Sequence, residues 1–240
     1  MALNAGKIKG NAAPQERVAQ PDMEPGTYPV RLVQVIDMGL QQQRAWQGEA
    51  KPPAQDVMLT YEFVDVFMVD KDGKELEDKP RWQSETINLR SFKADLATST
   101  KRIKALDPKD VHEGNLAALV GAPAMATITV SKKGDKTYVN IRGLTPMRDR
   151  DVAKLPELVN PTKVFDLEEP DLQVFESLPE WLREKIKGNL KYEGSKLQEA
   201  LGEGQNKAPK PVQAKEEPAH EEEEEDDAQA DFLGEDSAPW

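Results

Sequence analysis

Apolar and polar residues alternate in several stretches of this chain, and the gaps between the stretches carry turn residues. Tyr28-Pro-Val-Arg-Leu-Val-Gln-Val-Ile-Asp37 is a β-branched run behind a Pro25-Gly26 turn and predicts a first strand. After a polar loop from Gly39 to Gln55, the residues Val57, Leu59, Tyr61 and Phe63 line one face of a second strand. Past Phe63 the apolar row continues at Val64, Val66 and Met68. One inserted residue explains that slip of phase, so a bulge is expected at Val64–Asp65. Asp70-Lys-Asp-Gly73 faintly echoes a calcium loop, but the later ligand positions do not fit and hairpin-turn chemistry accounts for it. A return strand, Arg81 to Arg90, follows.

Phe92, Leu96, Ile103 and Leu106 have helical spacing and stop at Asp107-Pro108, and a further turn is expected from Leu116 to Val120. Two more strands follow, Ala124–Val130 and Lys136–Arg142, joined at Lys133-Gly134-Asp135. Three strands, a helix and two strands within residues 26–150 suit a mainly β, five-stranded Greek-key barrel of the OB-fold type. Residues 1–25 read as an extended N-terminal arm. Residues 151–201 read as a helical appendage whose best helix, around Ser177-Leu-Pro-Glu-Trp-Leu-Arg-Glu-Lys-Ile186, has Ser177 as its cap and packs through Trp181, Leu182 and Ile186. Residues 202–240, dominated by Gly, Pro, Lys and Glu, read as a disordered linker and tail.

Composition sharpens this division. Only 38% of residues are hydrophobic and 32% are charged, so part of the chain stays outside any core. The absence of cysteine excludes disulfides and thiolate metal sites. With no leader-like N-terminus and no run of membrane-spanning length, the cytoplasm is the expected compartment and no membrane partner is expected. The net charge of −12 is concentrated at the end: residues 216–240 hold 12 acidic residues and no Lys or Arg, while the rest carries 32 of each sign. Residues 81–150 have 13 basic against 7 acidic side chains, a cationic body segment beside an anionic tail.

Catalysis finds little support, and the chain is read as a non-enzyme without cofactor or metal. Its two histidines are His112 in a loop and His220 in the tail, and neither a phosphate loop nor a nucleophile elbow occurs. Single-strand nucleic-acid binding needs a cationic groove and exposed aromatic faces. Strand phase puts Tyr138 and Arg142 outward with Lys136, and the preceding turn adds Lys132 and Lys133. Trp82 lies opposite Ile87 and Leu89, with Arg90 ending its strand. Arg44 and Trp46 occupy the long loop, and the helical stretch supplies Lys101, Arg102 and Lys104.

The tail runs Glu221, Glu222, Glu223, Glu224, Glu225, Asp226, Asp227, then Asp231-Phe232, Glu235-Asp236 and a terminal Pro239-Trp240. A solubilising tail has no use for an exposed tryptophan, whereas an aromatic bearing the chain's own carboxylate makes a compact anchor for a partner. In Pro-Gly-Thr-Tyr-Pro-Val, Leu119-Val-Gly-Ala-Pro-Ala-Met-Ala-Thr-Ile and this acidic ending, the sequence resembles bacteriophage single-stranded DNA-binding proteins, with Trp where those usually end in Phe. The resemblance implies a protein that coats single-stranded DNA in phage replication, recombination or repair inside the bacterial host, with homodimers possible for the type. It also implies a tail that recruits a polymerase, primase-helicase or nuclease and competes with DNA for the groove. Two other classes remain open at this point: an interaction module or DNA mimic acting through its tail, and a metal-dependent nuclease.

Overall fold

Strand β1 (Gly26–Gln41) explains the architecture, because its apolar run is buried on both faces. A computed structural model describes residues 18–203 except Trp46 and Asp135, and for Lys136 the backbone only. A register shift between Leu32 and Gln34 changes the phase of β1. Val30, Leu32 and Val35 therefore enter one core, and Ile36 and Met38 enter another. An isolated antiparallel hairpin would alternate wet and dry; a strand covered on both sides does not.

Among the described residues the sheet has six strands in the order β3-β2-β1-β4-β5, with β6 paired to β1. Strands β2 (Ala54–Val69) and β3 (Glu75–Leu89) extend the meander, and β4 (Pro123–Lys133) and β5 (Lys136–Pro146) form the second hairpin. An irregularity lies where the bulge was expected but is larger than one residue: Glu62 pairs with Trp82 and Phe67 with Pro80, so β2 gains three residues on β3 there. At the hairpin tip Asp70 Oδ1 accepts the N–H groups of Asp72 and Lys74, which is turn chemistry. The inner core joins Leu59, Tyr61 and Phe63 of β2 to Ala126 and Ile128 of β4.

Helix α1 (Thr98–Leu106) begins six residues later than its spacing suggested, and Leu96 is exposed. The cause is local. Ser99 Oγ accepts the Arg90 N–H and Thr100 Oγ1 donates to the Ser91 carbonyl, tying the first turn to the end of β3. Ile103 and Leu106, with Leu116 and Leu119 of a 3₁₀ turn (Leu116–Leu119), close the lower end of the inner core.

The segment after Pro146 folds onto the other face of β1 and β2. It holds α2 (Asp149–Val152), the parallel strand β6 (Lys163–Phe165), α3 (Leu172–Glu176), α4 (Glu180–Lys187) and α5 (Lys196–Ala200). Phe165, Phe175, Leu182, Ile186 and Leu197 bury Ile36, Met38 and Met58. Leu182 and Ile186 pack as expected, but Trp181 does not: it lies off the Leu178–Leu182–Ile186 stripe and is 57% exposed. Nor does Ser177 cap α4, whose cap position is Pro179; its hydroxyl instead closes α3 by donating to Val174. Glu62, buried on the same face, accepts the Val159 and Asn160 backbone N–H groups and fastens the start of the segment.

Part of the expected N-terminal arm is fixed. Met23 is buried, Gln20 exchanges two hydrogen bonds with the Val69 backbone, and Asp22 accepts from Thr137, so residues 20–23 strap β2 to β5.

Gly39 has φ +78°, and a Cβ there would lie 2.7 Å from Asn189 and 2.9 Å from Leu167. Gly39→Ala should therefore cost about 1–3 kcal/mol, read as a lowered thermal midpoint. Beside it, burial raises the Asp37 carboxyl above its ordinary value, against the hydrogen bonds from Gly39 and Gln55 that lower it. The folded state thus holds this proton more tightly than the unfolded chain, so Asp37 subtracts stability above its raised value and stops doing so as pH falls below 3.8. Asp37→Asn should raise the melting temperature at pH 7 and give a smaller gain near pH 4.

Candidate nucleic-acid interface

The two edge strands, β3 and β5, run side by side without a backbone ladder among the described residues, so the sheet is not closed by hydrogen-bonded strands. Side chains occupy the gap instead. Gln83 Nε2 donates to the Val139 carbonyl at 3.1 Å, and Arg102 Nη2 donates to the Ile141 carbonyl at 3.0 Å. A ladder from β3 would need those same acceptors. One step further out, Arg81 donates to the Pro21 carbonyl and Thr137 to Asp22, so the strap spans the gap as a third bridge. The bridged positions advance together as 81, 83, 85 on β3 and 137, 139, 141 on β5.

The innermost bridge, at Glu85 and Ile141, is built on an ion pair. Arg102, with a side chain 5% exposed, makes a bidentate contact of 2.8 Å with Glu85, and Tyr61 donates its hydroxyl to the same carboxylate. Burial works against the Arg102 charge, but the Glu85 hydrogen bond and charge prevail and raise its pKa. Burial, followed by the Glu85 charge, raises the Tyr61 phenol well above its ordinary value, so it stays a donor. Arg102, expected from sequence as a phosphate contact, is held by these bonds in the wall of the cleft described below.

The residues between the bridged ones face outward. Trp82 and Tyr138 each precede a member of the Gln83–Val139 pair and lie on opposite banks of the gap, 51% and 45% exposed. Asn140 and Arg142 continue along β5, both exposed. A cleft of about 540 Å³ follows, lined by Thr86, Asn88 and Arg142 among others. It runs into a second of about 620 Å³ between the 42–53 loop and the sheet, lined by Arg44, Lys51, Arg90 and Lys185. The two share Gln43, Asp56 and Asn88. Two acids line these clefts: Asp56 accepts from both amides, at 3.1 and 2.6 Å, and Glu85 in the first cleft is paired with Arg102.

The predicted residues divide accordingly. Arg44, Arg90 and Arg142 line the clefts, and Trp82 and Tyr138 flank the seam that leads to them. Lys132 and Lys133 are exposed at the β4–β5 tip, directly beyond Tyr138. Lys101 and Lys104 line neither cleft, and Lys104 is turned to Asp95 at 2.7 Å. Trp46, the Lys136 side chain and every tail position from Glu221 to Trp240 lie outside the described residues. Lys185 and the Gln43–Asp56–Asn88 floor were not singled out from sequence, since only the fold brings residue 185 to residue 44.

Among the described residues no three acidic or histidine side chains converge where they could hold a metal ion. No described helix is long and apolar enough to cross a membrane.

Arg102→Ala would leave Glu85 buried without its cation and should cost about 3–5 kcal/mol, whereas Arg142→Ala, at an exposed site, should leave the unfolding midpoint unchanged. Denaturant titration of both variants checks the contrast. The sequence matches no protein-family model and no curated protein.

Proposed function

We propose that this protein binds single-stranded DNA along the β3–β5 seam and the two clefts that continue it. The observation that carries the reading is the pair of exposed aromatics on the banks of the seam, leading into a trough rimmed by Arg44, Arg90 and Arg142. Bases stack on aromatic faces with little regard to sequence while cations follow the phosphates. From Trp82 to Arg90 the trough is about 26 Å long at strand rise. The barrel is then of the OB type, with β3 and β5 as its last joint and α1 under it. The 42–53 loop and the β4–β5 tip stand at the two ends of the binding face.

The remaining parts follow the resemblance to phage single-strand binders. The protein coats DNA during replication, recombination or repair and performs no catalysis of its own. The stretch Glu221–Asp227 competes with DNA for the cationic trough, and Trp240 engages a replication partner. Competition by the tail is supported by charge alone: 12 acidic residues in the last 25 stand against a trough of the opposite sign.

The test is a salt series of fluorescence titrations with single- and double-stranded oligonucleotides, comparing the full chain with one ending at Lys215. Preferential, salt-sensitive single-strand binding that tightens on shortening is the expected result. Trp82→Ala or Tyr138→Ala should weaken binding by about 1–3 kcal/mol. Arg142→Glu should reduce the salt slope by about 0.7. If neither chain binds, DNA coating is refuted and the tail becomes the element to pursue.

A further inference from the structure

Helix α4 carries more than its buried stripe. Leu182 and Ile186 turn to the outer core, while Trp181 and Lys185, four residues apart, share another face of the same helix. The C-terminal end of α4 is fastened to the mouth of the 42–53 loop. Gln41 Nε2 donates to the Lys185 carbonyl at 3.0 Å, and the Leu190 N–H donates to the Leu40 carbonyl at 2.8 Å. That attachment makes Lys185 a wall of the larger cleft, opposite Arg44, Lys51 and Arg90.

Trp181 sits one helical turn, about 6 Å, from Lys185. It is 57% exposed, and among the described residues its ring meets no other aromatic ring and its indole N–H makes no hydrogen bond. An indole so placed adds nothing to the core and works against solubility, yet it lies one turn beyond Lys185, which walls the cationic cleft. We propose that Trp181 is a third stacking platform: a DNA strand that leaves the seam passes the Arg44–Arg90–Lys185 cleft and lays a base on this indole. The helical appendage then serves as one wall of the binding surface as well as a cover for β1 and β2, and it lengthens the DNA that one protein occludes. This inference rests on the single-strand reading above and adds a residue and a length to it.

Full-length Trp181→Ala, Trp181→Phe and Trp82→Ala would be titrated with labelled oligothymidylates of about 6 and about 16 nucleotides, spanning the site sizes known for such barrels. Melting temperatures would be recorded for each variant. The expected result is that Trp181→Ala melts like wild type and binds the short strand normally. It should lose about 5- to 150-fold on the long one, with Trp181→Phe recovering most of it. Trp82→Ala should weaken both lengths. If Trp181→Ala binds both lengths like wild type while Trp82→Ala does not, the third platform is refuted and the seam stands. A lowered melting temperature with equal losses on both lengths would also refute it, by showing that Trp181 acts through the fold. If the wild-type chain binds neither strand, both readings fail together.

Discussion

The Glu85–Arg102 pair fixes the spacing between the two edge strands, and the rest of the proposed binding face depends on that spacing. Arg102 reaches from α1 to a carboxylate on β3 and a carbonyl on β5, so one guanidinium joins three elements. Removing two charges from water is expensive, and the pair persists because Tyr61 and the Ile141 carbonyl complete its hydrogen bonds. A hydrophobic pair of equal volume would pack as well. It would, however, free the Ile141 carbonyl to accept from β3, and the outward residues on the two banks would then be drawn together.

The second constraint is the double burial of β1. Covering Ile36, Met38 and Met58 with the C-terminal helices removes the outer face of β1 and β2 from solvent. The outer surfaces of β3 and β5 stay exposed, and these carry Trp82, Tyr138 and Arg142. One packing decision thus selects which part of the sheet stays open to solvent, and it brings Lys185 to the rim of the larger cleft.

Much of the sheet was legible in the sequence, because alternation of apolar residues is imposed by the pleat itself. The bulge after Phe63, the Asp70–Gly73 turn and the outward phase of Trp82 and Tyr138 all follow from counting residues along one strand. Arg102 was not legible: among Lys101 and Lys104 it reads as one more cation on a wet helix face, and only the position of Glu85 on another element distinguishes it. Trp181 misled for the converse reason, since an indole beside Leu182 reads as core until the stripe through Leu178, Leu182 and Ile186 is seen to exclude it. Lys185 had no local signal, because its neighbours in the cleft come from three other segments.

The bridged seam has a consequence for how the molecule comes together. The β2–β3 and β4–β5 hairpins close over short turns, but the contacts across the seam span 39 residues for Arg102–Ile141, 56 for Gln83–Val139 and 115 for Thr137–Asp22. Joining distant points costs chain entropy before any contact repays it. Held by a few side-chain bridges where the other strands have ladders, the seam is the weakest joint of the sheet, and the strap, with the largest separation of its three contacts, is its latest stitch. Amide exchange would be fastest there, at the edge where the aromatics stand.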